Sequence, residues 1–145
     1  GNVVVELPGQ GYIVKRQVYG RRVLRIDPAG GQPRAKIIVY QDGDLVEHTI
    51  DQLELTATAI RELDQLLTAH IQGVAETTLR KIQTEMKADV LGIGDRIYRL
   101  YPGIYDSLNW QEYFPTMPIE VEVHANFRRT GEMLQSPIST KYNSK

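Results

Sequence analysis

Glu120 and Glu122 stand two residues apart in the alternating run Ile119-Glu120-Val121-Glu122-Val123. On a strand that spacing puts both carboxylates on one face, where they could act as general acid and base. A solvated polar face uses the same pattern. The histidines are His48, His70 and His124, and with no HExxH or comparable ligand spacing among them no metal site is expected. The structural alternative puts His70 at the border of a helix's buried stripe and His48 and His124 on solvent-facing strand positions. Gly92-Ile93-Gly94-Asp95-Arg96 has the glycines of a phosphate loop, but neither the G-K-[ST] ending nor a complete G-x-G-x-x-G. A helix break or close packing is the expected use of those glycines.

Asp42 and Asp44 begin like a calcium loop, yet Leu45-Val46 follows at once and no glutamate closes the frame. Serine occurs only at Ser107 and in the tail, without a G-x-S-x-G elbow, so nucleophilic catalysis has no visible apparatus. Arg128-Arg129 could grip an anion or a partner carboxylate, or pair internally with Asp89 or Asp95. Tyr98, Tyr101, Tyr105, Trp110, Tyr113 and Phe114 crowd into one short stretch. They are expected to form a satellite core under a helix end, or else an exposed aromatic surface for a partner.

The elements that must position these side chains follow an α+β order. Short strands are expected at Val3–Glu6, Tyr12–Tyr19, Arg21–Asp27 and Ala35–Gln41, with Asp42-Gly43 turning a hairpin into Leu45–His48. From Thr56 the apolar residues Ile60, Leu63, Leu67, Ile71, Val74, Leu79, Ile82, Met86 and Val90 recur at helical steps, with Arg61, Glu62, Asp64 and Gln65 on other faces. Thr56 or Thr58 is expected to cap this helix. Its full length to Leu91 would reach roughly 50 Å, so a bend at Gly73 or a break at Gly92-Ile93-Gly94 is expected before a second piece at Asp95–Leu100. Tyr101-Pro102-Gly103 stops that piece, Ile104–Tyr113 supplies a short helix or turn, and Ile119–Phe127 is a half-buried strand. The fold expected is a mainly antiparallel sheet of about five strands with the long helix and shorter ones on one face.

Length and charge bound the rest. With 145 residues, one domain is expected over 1–134, strand-rich to 56 and helical over 57–114, with a last strand at 118–129 and a flexible tail over 135–145. Lys plus Arg number 17 and Asp plus Glu 18, a formal net charge of −1, which disfavours general nucleic-acid binding. Cysteine is absent, which removes disulfides, thiolate metal sites and cysteine nucleophiles. No apolar run approaches the ~20 residues that span a bilayer. The chain begins Gly1-Asn2 without Met or a signal peptide and reads as one domain of a longer protein.

The ordered series Leu79-Arg80-Lys81-Ile82-Gln83-Thr84-Glu85-Met86-Lys87-Ala88-Asp89-Val90-Leu91-Gly92-Ile93-Gly94, then Tyr101-Pro102, Trp110, Phe114-Pro115, Pro118-Ile119-Glu120-Val121-Glu122-Val123 and Arg128-Arg129-Thr130-Gly131, resembles the C-terminal domain of the Ger(x)C family. These are the C subunits of nutrient germinant receptors of endospore-forming bacteria. The resemblance implies a non-catalytic domain without cofactor or metal, in a lipoprotein anchored on the outer face of the spore inner membrane beside membrane-embedded A and B subunits. It marks Asp89, Gly92, Gly94, Tyr101, Pro102, Trp110, Phe114, Arg128, Arg129 and Gly131 as family-motif or partner-contact positions, with no chemical role attached. A small-molecule sensor domain is the alternative.

Overall fold

The computed structural model describes residues 2–7, 11–48 and 57–127. Thr56, Arg128, Arg129, Gly131 and the tail lie outside the described residues. The elements are β1 (Asn2–Leu7), β2 (Gly11–Asp27), β3 (Arg34–His48), α1 (Ala57–Lys81), α2 (Ile93–Leu100), α3 (Pro102–Ser107), α4 (Trp110–Tyr113) and β4 (Ile119–Phe127). They fall into two compact units. One lies within Gly1–Arg21, Tyr40–Ile71 and Val123–Lys145, the other within Arg22–Val39 and Gln72–Glu122.

The strands form one four-stranded sheet in the order β1-β2-β3-β4, not the five mainly antiparallel strands expected. β1 pairs antiparallel with β2, Val5 opposite Ile13 and Val3 opposite Lys15. β4 runs parallel to β3: Ala35 donates its N–H to Pro118 O at 3.1 Å, Lys36 reaches Glu122, and further along Tyr40 meets His124. The sheet is therefore mixed, and a parallel neighbour needs the long crossover that α1 and its successors provide.

The expected strand count fails at two glycines. Gly20 does not separate two strands, because β2 runs through it. Asp42-Gly43 does not turn a hairpin, because β3 continues across it to His48. Gly43 serves close approach instead of a turn. A Cβ there would collide with the Arg16 carbonyl oxygen and lie 2.6 Å from Lys15 Cε. The true reversal is Asp27–Arg34, where Asp27 Oδ1 accepts the Ala29 N–H at 3.0 Å, Gly31 donates to Pro28 O, and Ala29, Gly30 and Gly31 take positive φ.

The long helix forms as its periodicity predicts, but α1 runs straight through Gly73 and ends in a wider π turn at Ile82–Met86, not at Leu91. Lys87 stops it in the left-handed conformation, with φ 51°. Thr58 lies inside the first turn, accepting from Arg61, and so is not the cap. Ile60, Leu63, Leu67, Ile71, Leu79 and Ile82 are buried, whereas Val74, Met86 and Val90, expected on the same stripe, are exposed. Asp64, expected on another face, is buried. Its Oδ1 accepts the Phe127 N–H at 2.7 Å, Thr68 bonds both backbone groups of Ala125, and Gln72 donates to Val121 O at 2.6 Å. A polar stripe at i, i+4 and i+8 on α1 thus caps backbone groups on the edge strand β4, which an uncovered edge would present to other chains.

β4 alternates as expected, with Val123, Ala125 and Phe127 buried and Glu120, His124 and Asn126 exposed. In the unit of residues 22–39 and 72–122, the core is Ala35, Ile82, Ile93, Ile97, Phe114 and Met117, with Leu24, Ile26, Ile104 and Trp110 packed against it.

Candidate functional site

Of the positions singled out in the sequence, Asp89, Gly92, Gly94 and Trp110 meet where α1 gives way to α2. Lys87 and Gly92, both left-handed, bracket the four residues 88–91, which bring Asp89 back over the start of α2. Asp89 Oδ1 accepts the Ile93 N–H at 3.0 Å and Oδ2 the Gly94 N–H at 2.6 Å. Both oxygens satisfy N–H groups that a helix start leaves without partners, at the positive end of the helix dipole. Asp89 is thereby committed to capping, and Asp95, the other acid considered for an arginine pair, holds Arg99 at 2.9 Å.

Gly94 is bare because Trp110 lies on it: a Cβ would come within 2.6 Å of the indole Nε1 and 2.7 Å of Cε2. Trp110 in turn packs against Phe114 with ring centroids 5.6 Å apart, against Tyr105 at 6.1 Å and Tyr113 at 6.3 Å. The Tyr113 hydroxyl donates to Pro33 O at 2.7 Å, and burial raises its pKa above the ordinary value, opposed by the Arg34 charge. Gln83, in the π turn, donates to both Phe114 O and Met117 O at 2.9 Å. Tyr101 ends α2 by donating its N–H to Ile97 O, and Pro102 opens α3, where a missing N–H costs nothing. Of the aromatic stretch Phe114 is buried and Tyr105, Trp110 and Tyr113 are half-buried against the core, with Tyr98 and Leu100 left more than half exposed.

The other sequence candidates are dispersed. Glu120 and Glu122 share one ammonium, Lys36 Nζ, at 4.0 and 3.4 Å, so they sit as an ion-paired strand face. His124 is exposed and stacks on Tyr40 at 5.2 Å, with the Arg21 guanidinium over the Tyr40 ring at 4.6 Å. His70 is exposed on α1, and the side chain of His48 lies outside the described residues. Asp44 pairs with Arg16 at 3.0 Å. Among the described residues no three His, Asp or Glu side chains gather to hold a metal ion. A cleft of about 570 Å³ is lined by Arg25, Asp27, Arg34, Lys36 and Glu120 over Ile26, Ala35 and Ile119.

One group gave no sequence signal. Lys15 is wholly buried on β2, and its Nζ has no hydrogen-bond partner among the described residues. Burial lowers its pKa from the ordinary lysine value, against the opposing pull of Asp42. Lys15 stands in the run Tyr12-Ile13-Val14-Lys15-Arg16, and nothing local reveals the close approach of β3, where a Cβ on Gly43 would lie 2.6 Å from Lys15 Cε.

A family model described as "Spore germination B3/ GerAC like, C-terminal" matches residues 1–131. Spore germination protein KC of Bacillus subtilis (strain 168) is 32% identical over 83 residues, 55% of this chain and 20% of that protein. Spore germination protein YndF of the same organism is 26% identical over 95 residues, 64% of this chain and 24% of that protein. The crystal structure of the GerBC protein shares the fold at a TM-score of 0.75 and 19% identity, covering 88% of this chain and 40% of that one. The chain spans a quarter or less of the length of the curated relatives it matches.

Proposed function

Because the chain belongs to the spore germination B3/GerAC-like C-terminal family, we propose that it is a non-catalytic domain of a germinant-receptor C subunit. In this reading it supports assembly and signalling of the receptor with A and B subunits at the outer surface of the spore inner membrane, in a parent protein anchored by a lipid outside this segment. The observation that carries the reading is how the motif residues are used. Asp89, Gly92, Gly94, Trp110 and Phe114 are committed to one capped and stacked corner, which suits a rigid support better than a reacting centre. Among the described residues no helix is long and apolar enough to cross a membrane. The partner-facing side is proposed to include Tyr98, Tyr101 and Pro102, where aromatic surface stays accessible.

The test is nutrient-triggered dipicolinic acid release from spores whose parent gene stops just before residue 1, with immunoblots for the shortened protein and its partner subunits. Lost release with every subunit present assigns the domain to signalling, and loss of the partners assigns it to assembly. Normal release refutes both. A second reading, a sensor for a small nutrient, is favoured by the 570 Å³ cleft beside Lys36, a volume within the range of ligand sites. Nutrient-induced NMR shifts confined to Arg25, Arg34 and Lys36 would establish it; unchanged spectra dismiss it.

A further inference from the structure

A second cleft, about 480 Å³, lies between the Arg22–Leu24 stretch of β2 and the start of α2, with Leu91, Gly92, Asp95, Arg96 and Arg99 on its other wall. Three guanidiniums and one carboxylate line it. Asp95 is engaged by Arg99 at 2.9 Å, while the guanidiniums of Arg22 and Arg96 have neither an ion pair nor a hydrogen bond among the described residues. In a chain whose acids slightly outnumber its bases, three arginines against one aspartate that is already paired make a local excess of positive charge. Like charges so placed repel unless an anion joins them. The space beside Gly92 is open, since a Cβ on it would meet nothing within 4 Å.

We propose that this cleft binds a phosphate group, held between Arg22 and Arg96. A planar guanidinium presents paired N–H donors that match phosphate oxygens. A carboxylate is satisfied by one such fork, whereas a tetrahedral phosphate offers oxygens to two forks arriving from different elements. The first two N–H groups of α2, those of Ile93 and Gly94, are already taken by Asp89 and are not counted in the site. Half-buried Leu91 beside the arginines gives the organic body of a phosphate ester an apolar wall. The proposal stands on this cleft alone and survives or falls independently of the receptor reading.

The experiment is an amide NMR titration of the 145-residue protein with inorganic phosphate at constant ionic strength, repeated with vesicles containing phosphatidylglycerol as competitor. Saturable shifts are expected at Leu91, Gly92, Arg96 and Arg22, with a dissociation constant on the order of 1 mM. Arg22→Gln and Arg96→Gln should each weaken binding about tenfold, and Arg61→Gln, on α1 outside the cleft, should leave it unchanged. Displacement of phosphate by the vesicles makes a lipid headgroup the source; no displacement makes it a free phosphate or small phosphate ester. Shifts that fail to saturate by about 20 mM, or that persist unchanged in both arginine variants, overturn the proposal.

Discussion

At Asp89 a single carboxylate holds the turn between two helices. Replacing it by Ala leaves the Ile93 and Gly94 N–H groups without their acceptors, so Asp89→Ala should lose about 1–2 kcal/mol in urea unfolding. Asp89→Asn, which keeps one good acceptor, should lose less. Gly94→Ala drives a methyl into the indole of Trp110 and should cost about 1–3 kcal/mol, the range for overpacking a filled site. Equal stability of Gly94→Ala and the parent would mean that the indole does not lie where the structure puts it. Lys15 works in the opposite sense. Its folded pKa lies below the unfolded value of 10.5, so between the two the unfolded chain binds the extra proton and stability rises with pH. Lys15→Met should raise stability by about 1–3 kcal/mol at neutral pH, because an unsatisfied buried donor is removed, and should abolish that rise. Tyr113 has the reverse linkage: its folded pKa is raised, so stability falls once the unfolded phenol begins to ionise near 10.

Among the elements, α1 and β4 are legible in the sequence, and the sheet's connectivity is not. The period of Ile60, Leu63, Leu67 and Ile71 and the alternation of Ile119–Phe127 each report a buried face directly. Asp42-Gly43 misleads because the same dipeptide suits a tight turn and a place where two backbones press together; only the position of Arg16 decides between them. Asp64 misleads for a related reason, and Thr68 and Gln72 share its stripe. Polar residues at helical spacing read as solvated, and their partners on β4 are 49 to 63 residues away. The motif corner is half legible: Gly92 and Gly94 announce a break, but the capping by Asp89 and the contact with Trp110 need the fold. If the polar stripe protects the β4 edge, Asp64→Ala should leave the buried Phe127 N–H unsatisfied, at about 1–3 kcal/mol. Hydrogen exchange at Phe127 should accelerate with it, and Gln72→Ala should leave that amide unchanged. Exchange at Phe127 as slow as in the parent chain would count against the capping role.

For the molecule as a whole, the proposed role turns on the difference between holding a shape and presenting a surface. Trp110 and Tyr98 separate the two. Trp110 is half-buried against Gly94, Tyr105, Tyr113 and Phe114, so Trp110→Ala should cost about 3 kcal/mol, the low end for a large aromatic. A loss of that size lowers the steady-state amount of a marginally stable protein several-fold. In spores carrying Trp110→Ala in the parent protein, that protein and its proposed partner subunits should decline together, and nutrient response with them. Trp110→Phe, which keeps a ring on Gly94, should restore much of both. Tyr98 is 53% exposed and touches Tyr105 edge-on, so Tyr98→Ala should leave the protein's amount and thermal midpoint nearly unchanged while reducing co-isolation of the partner subunits. Retained co-isolation in Tyr98→Ala moves the contact surface off α2. Retained abundance and nutrient response in Trp110→Ala would mean that the folded corner is not what the receptor requires of this domain.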